Sequence, residues 1–278
     1  MTELVRVSRG LWRPDDQVSD LAGRSAALLR VCPPGTVVAG VTAARLHGLW
    51  LPGDPAPGEP VEVIVRPEAL PQRSRAHNRR AELRARRQLL LPDEVTDLDG
   101  LPICTEARCW LDLADRLRPP DLVALGDSAL RGSASPDELR TLLARARRRR
   151  GVVLARRVLP LLDGRSRSRP ESHLRFAIVD GGLPVPDVNQ PVHDEFGGWL
   201  AEPDLSYRDV RLAIEYNGAL HAEVTRMRRD ITRELDLDIR GGWRTVVYGP
   251  GEVFGRPDMI VVHVRRLRES LLSGHKHR

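Results

Sequence analysis

The sequence predicts an α/β protein of two domains, and three observations lead there. Its 278 residues are enough for two cores of ordinary size. The stretch Gly164-Arg-Ser-Arg-Ser-Arg-Pro170 is polar and closes on a proline, as linkers do. Beyond it, apolar runs with strand and helix spacing follow one another in the order α-β-β-β-α-β-α. The domains are therefore placed at 1–164, an α+β region, and 165–278, a compact α/β unit.

In the first domain, residues 4–13 alternate around a glycine and read as a strand or short hairpin. Apolar residues at helical spacing over 21–31 stop at Cys32-Pro33-Pro34-Gly35. Thr42 is placed to cap a short helix over 43–49. A Pro/Gly loop over 53–60 leads into a β-rich run at 61–65. After a basic region at 73–87, Leu83, Ala85 and Leu89 alternate with Arg84, Arg86 and Gln88, which predicts a strand with one basic, solvated face. Thr105 opens a helix to 117 that Pro119-Pro120 breaks. Further helices are expected over 121–130, 136–150 and 152–163, the arginine run at 145–150 reading as the solvated end of one of them.

The second domain opens with a helix over 171–180, which Gly181-Gly182 ends. Strands are expected at 188–193 and 200–205, with a turn at Phe196-Gly197-Gly198 between them. The most apolar strand spans 210–216, a long polar helix 222–240, and a strand 243–248; a last helix covers 257–272.

Composition narrows the function classes. Lys and Arg total 44 against 38 Asp and Glu, for a net charge of +6, with 41% hydrophobic and 29% charged residues. That describes a folded chain rather than a disordered one. No apolar run approaches the length of a membrane span, so no membrane association is expected. The N-terminal residues lack the apolar stretch of a secretory signal, and three cysteines without CxxC spacing suit reduced thiols in a cytoplasm. Lys276 is the sole lysine among the basic residues, so chemistry that needs a lysine in the body of the protein is excluded. The arginine excess itself fits codon bias as well as phosphate recognition.

Three acidic residues of the second domain carry the chemical argument. Asp204 follows Pro203 at the end of one strand, and Glu215 lies near the end of the next. Asn217 sits two positions on, sharing the Glu215 face by the strand period. Carboxylates held by adjacent strands can converge on a hard cation such as Mg²⁺ or Mn²⁺, which polarises a phosphoryl oxygen and supplies hydroxide for attack. Glu171, at the start of a helix on the sheet, is a candidate third carboxylate.

The setting of these residues resembles a known pattern. Glu171 with Arg175, Gln190, Pro203-Asp204-Leu205, Ala213-Ile214-Glu215-Tyr216-Asn217-Gly218 and His221 occur in order, followed by Asp230 with Arg233 and by Gly242-Trp243-Arg244-Thr245-Val246. Residues 170–272 thus resemble the very-short-patch-repair-like endonuclease domain of the PD-(D/E)XK superfamily. That resemblance implies a restriction-endonuclease-like mixed sheet flanked by helices, and metal-dependent hydrolysis of DNA. It makes Asp204 and Glu215 the metal ligands, Glu171 an accessory carboxylate, and His221 the group facing the scissile phosphate. Arg226, Arg229 and Arg233 would meet the nucleic acid, and Asp230 would pair with Arg233. One departure stands out: Asn217 occupies a position where this subfamily has aspartate and the wider superfamily lysine. An amide oxygen can coordinate a metal or orient a water but adds no charge, so an inactive domain that keeps the fold is the alternative.

Pro33-Pro34-Gly35-Thr36-Val37-Val38, the run from Thr42 to Leu49, Gly100-Leu101-Pro102, Thr105-Glu-Ala-Arg108 and Asp112-Leu113-Ala114 resemble AbiEi-type antitoxin proteins. The usual winged helix-turn-helix would precede residues 5–12, so it is expected to be truncated here. The resemblance implies a toxin partner and a type IV toxin–antitoxin role as the non-catalytic alternative. Elsewhere, His47 reads as a satisfied half-buried histidine, the cysteines as buried thiols, and Trp50, Trp110, Trp199 and Trp243 as packing anchors. The glycine-rich stretch 249–255 lacks phosphate-loop spacing and reads as a turn.

Overall fold

A computed structural model describes residues 4–15, 20–67, 80–194, 196–218 and 241–275. They form a mixed α/β chain that divides into two compact units: Met1–Arg118 with Gly132–Pro160, and Pro119–Arg131 with Leu161–Arg278.

The first unit is built on a five-stranded sheet. A hairpin of β1 (Leu4–Ser8) and β2 (Leu11–Pro14) precedes α1 (Leu21–Leu29), which Asp20 caps by accepting from the Gly23 N–H at 2.7 Å. The sheet comprises β3 (Val37–Val38), β4 (Val61–Val65), β5 (Leu83–Arg87), β6 (Val95–Leu98) and β7 (Leu101–Cys104), in the order β5-β4-β3-β7-β6. Strands β3 and β7 run parallel, as do β4 and β5. Val61, Val63 and Val65 pack with Leu28 and Leu83. Strands β6 and β7 were not foreseen, although Asp99-Gly100 joins them with both residues at positive φ, the dipeptide that a two-residue hairpin demands.

Helix α2 (Gly40–Leu46) starts ahead of the cap expected at Thr42. Gly40 enters it at φ 59°, and a Cβ there would stand 1.9 Å from Glu62 Oε2, so only glycine fits. The Thr42 hydroxyl instead accepts the Glu62 N–H at 2.9 Å. The basic face expected on β5 is also largely committed. Arg84 pairs with Glu62 at 3.3 Å and Arg86 with Asp112 at 2.5 Å. Asp112, on α3 (Glu106–Leu113), is fully buried and also holds Arg108 at 2.7 Å and Arg149. Burial pushes its carboxyl up, but Arg108, Arg86 and Arg149 outweigh that and hold it below the usual range. Much of the arginine in this unit therefore neutralises internal carboxylates.

The second unit takes its first helix, α4 (Pro119–Arg131), from between α3 and α5 (Pro136–Arg145) of the first; α6 (Val152–Val158) follows α5. Helix α7 (Arg169–Asp180) lies against α4. Two buried sets of charges join them: Asp127 with Arg175 at 2.5 Å, and Asp121 with Arg169 at 2.6 Å and His173 at 3.0 Å. The sheet contains β8 (Asp187–Val188), β11 (Leu205–Tyr207), β12 (Leu212–Tyr216) and β13 (Arg244–Tyr248) in the order β13-β12-β11-β8. Only β12 and β13 are parallel. Leu174 and Ile178 of α7 and Ile260 and Val264 of α8 (Pro257–His275) bury the face carrying Leu205, Leu212 and Ile214. A hairpin of β9 (Val192–His193) and β10 (Trp199–Ala201) contributes Val192, Leu200 and Ala201, which pack with Ala213 and Trp243.

Both strands expected near 188–205 are thus interrupted. Asn189 at φ 46° and Pro191 divide β8 from β9, and Pro203 stands between β10 and β11. The helix expected at 222–240 lies outside the described residues. Stretch 251–255 forms a turn of π-helix rather than an open turn. Among the described residues, no helix is long and apolar enough to cross a membrane.

Candidate active site

The β11–β12 ladder positions the two carboxylates singled out by sequence. Its register pairs Tyr207 with Leu212, Ser206 with Ala213 and Leu205 with Ile214; Asp204 immediately precedes β11, and continuing that register by one step would set it opposite Glu215. Residues directly opposite in an antiparallel pair have Cβ atoms about 5 Å apart and point to the same side. Asp204 is anchored there because its Oδ2 accepts the Tyr216 N–H at 2.8 Å. Leu212 and Ile214 enter the helix-covered core, whereas Ala213 belongs to the cluster on the other face. Glu215 follows Ala213 onto that second face. The Asn217 N–H donates to the Tyr248 carbonyl at 2.9 Å, which extends β12 beside β13 and keeps Asn217 in the Glu215 alternation.

Glu171 is held differently. Ser168 caps α7, its hydroxyl accepting the Glu171 N–H at 3.3 Å and donating to Glu171 Oε1 at 2.8 Å. Glu171 Oε2 accepts from the Arg167 N–H at 2.8 Å and from Asn189 Nδ2 at 2.9 Å. Its carboxylate is therefore built into a helix cap. Asn189 links it to the strand pair, since the Asn189 backbone N–H donates to the Asp204 carbonyl at 3.0 Å. Asn189 is buried, sits in the left-handed region, and leaves its Oδ1 without a hydrogen bond among the described residues. Sequence reasoning had placed it inside a strand. The signal against that was Asn189-Gln190-Pro191, an asparagine able to adopt positive φ just ahead of a proline.

The side chains of Asp204, Glu215 and Asn217 could offer oxygen donors to a cation, a chemistry that suits Mg²⁺ or Mn²⁺ and not a soft metal. Among the described residues, no three His, Cys, Asp or Glu side chains gather as a metal-binding group. His221, Arg226, Arg229, Asp230 and Arg233 lie outside the described residues.

Other expectations are met in part. His47 Nε2 lies 2.8 Å from the Cys104 carbonyl, a satisfied histidine. Cys104 and Cys109 are fully buried, and burial, reinforced by Asp112, pushes the Cys104 thiol up to about 12. Trp110 and Trp243 are packing anchors, but Trp199 is 59% exposed.

The second unit is thus a mixed α/β fold in which the Asp204 carboxylate, just ahead of β11, is tied to the end of β12 beside Glu215. No family model matches the chain, and no solved structure does. The chain is 36% identical over 164 residues to the uncharacterized protein MT2308 of Mycobacterium tuberculosis (strain CDC 1551 / Oshkosh) and, equally, to the uncharacterized protein Rv2248 of strain ATCC 25618 / H37Rv. Each match covers 58% of this chain and spans 60% of the relative's length.

Proposed function

We propose that the second unit is a metal-dependent DNA endonuclease. The observation that supports this reading is the Tyr216 N–H bonded to Asp204 Oδ2 at 2.8 Å, which ties the Asp204 carboxylate to β12 next to Glu215. Asp204 and Glu215 would hold the cation, with the Asn217 amide beside them. A bound Mg²⁺ or Mn²⁺ would supply a nucleophilic water and neutralise charge developing on the phosphate. Around it, the Tyr216 N–H fixes the Asp204 carboxylate, and Glu171 with Asn189 fixes the chain that enters Asp204. His221 would stand at the phosphate, and Arg226, Arg229 and Arg233 would grip the backbone, giving an affinity that falls steeply with salt.

The test is direct. Purified protein with supercoiled plasmid and Mg²⁺ or Mn²⁺ is expected to nick it, and Asp204→Ala and Glu215→Ala are each expected to reduce nicking at least a hundredfold. Cleavage that survives both substitutions overturns the assignment.

Asn217 favours a second reading. Without a third carboxylate on that face, the unit can serve as a non-catalytic nucleic-acid-binding or type IV antitoxin-like regulator, with a toxin as partner. DNA binding with no cleavage in either metal would select it.

A further inference from the structure

A second feature of this unit lies at the other end of the β11–β12 pair, beyond Tyr207 and Leu212. There a cavity of about 390 Å³ is lined by His193, Asp194, Arg208, Arg211 and Trp243 among others. We propose that it is a subsite for an unpaired nucleic-acid strand, with a phosphate between Arg208, Arg211 and His193 and a base stacked on Trp199. The proposal rests on the nucleic-acid reading above but is independent of the metal site and of hydrolysis.

The cationic side of the argument starts from the backbone. Arg211 is held at φ 50°, ψ 48°, a conformation that a β-carbon disfavours, where glycine or asparagine would be the local choice. A guanidinium kept there against that preference points to a use for it. Arg211 Nη1 donates to the Gly241 carbonyl at 3.2 Å, and its other N–H groups have no partner among the described residues. Gly242 is at φ 60°, and a Cβ on it would come within 3.3 Å of Arg211 Nη1, so the main chain closes tightly on the guanidinium. Arg208 is oriented by Asp187 at 3.3 Å and by the Pro191 carbonyl at 3.1 Å. Asp194, the acidic residue of the lining, directs Oδ1 at the Phe196 and Gly198 N–H groups, at 3.0 and 2.7 Å. Its charge is thereby turned into the hairpin.

The aromatic side stands next to it. Trp199 is directly opposite His193 in the β9–β10 ladder, whose register shifts between Trp199 and Ala201, and opposite residues stand side by side, so the indole neighbours the His193 ring. Phe196, at the tip, is 90% exposed. An exposed indole cross-strand from His193, which lines the cavity together with the two arginines, offers a base face next to a phosphate site. An unpaired strand can use both. In a duplex each base face is already stacked on its neighbours.

Binding of a fluorescein-labelled 12-nucleotide single strand, and of its blunt duplex, would be followed by anisotropy over a salt series in EDTA, with the full chain. The single strand is expected to bind at least tenfold tighter than the duplex. Trp199→Ala should weaken it about tenfold at every salt concentration, with Trp199→Phe recovering most of the loss, as stacking requires. Arg211→Gly, which the backbone conformation favours, should lower the slope of log affinity against log salt by about 0.7, the value for one phosphate contact on a single strand. Unchanged binding in both variants, equal binding of the duplex, or no binding of either overturns the subsite. Failure to cut plasmid while these variant effects persist would overturn hydrolysis and leave the subsite standing. Cleavage with no variant effect would do the reverse.

Discussion

At the scale of single residues, the candidate site depends on what each polar group is already bonded to. Glu171 is a cap, so Glu171→Ala should remove about 1 kcal/mol of stability and lower Tm by roughly 2–4 °C in a thermal melt. A melt unchanged by the substitution would show that the cap contributes nothing. Asn217 permits a gain-of-function test. Asn217→Asp adds a carboxylate to the Glu215 face and should lower the Mg²⁺ concentration for half-maximal nicking severalfold. An unchanged or higher requirement would place Asn217 away from the ion. The two strands that carry Asp204 and Glu215 at their ends were legible in the sequence from apolar period and a preceding proline, whereas their register follows only from the assembled ladder. Asn189 was harder to read, since its role follows from a left-handed backbone and from contacts 15 to 18 positions away that no local pattern encodes.

At the scale of elements, the contact between α4 and α7 has a pH dependence whose sign differs at its two ends. Burial pushes Asp121 up, but His173 and Arg169 overcome it and hold the carboxyl well below its ordinary range. A depressed carboxylate stabilises the folded state above its unfolded pKa of about 3.9, and that contribution disappears as pH falls toward the folded value. At Asp127 burial wins over Arg175 and the carboxyl is raised. The folded state there prefers the proton, so acid does not remove its contribution. Hydrogen-exchange protection factors compared between pH 6 and pH 3 should fall at the start of α4 and hold at its end. Equal loss along the helix would contradict this. That α4 is a helix could be read from its spacing and from Pro119-Pro120. Its partner could not, because an apolar face does not say which neighbour will cover it. The hairpin carries the same lesson: alternation groups Trp199 with Ala201, yet Ala201 is buried and Trp199 exposed, and the register shift between them shows only in the assembled ladder.

At the scale of the whole molecule, the boundary read from Gly164 to Pro170 and the contacts within the units describe different divisions. The linker composition is real, but α4 is part of the second unit although it lies about 30 residues upstream. A fragment of residues 165–278 would keep Arg175, His173 and Arg169 while losing Asp121, Asp127 and the helix that covers this side of α7, opening a buried face to water. It should show no cooperative melt by circular dichroism, whereas the full chain should. A sharp transition in the fragment would make α4 dispensable. The mixed α/β class followed from the sequence, because it needs only the kind and order of elements. The way the chain is divided between units depends on long-range contacts.

The position of α4 also has a consequence for synthesis. The ribosome releases this helix about 50 residues before the end of α7, its packing partner. At roughly 5–20 residues per second, an apolar surface that includes Leu122, Val123 and Leu125 waits some 2–10 s for its cover. The chain also completes the first unit only after α4 has emerged. Through that interval the nascent protein carries an exposed amphipathic helix between two half-made cores.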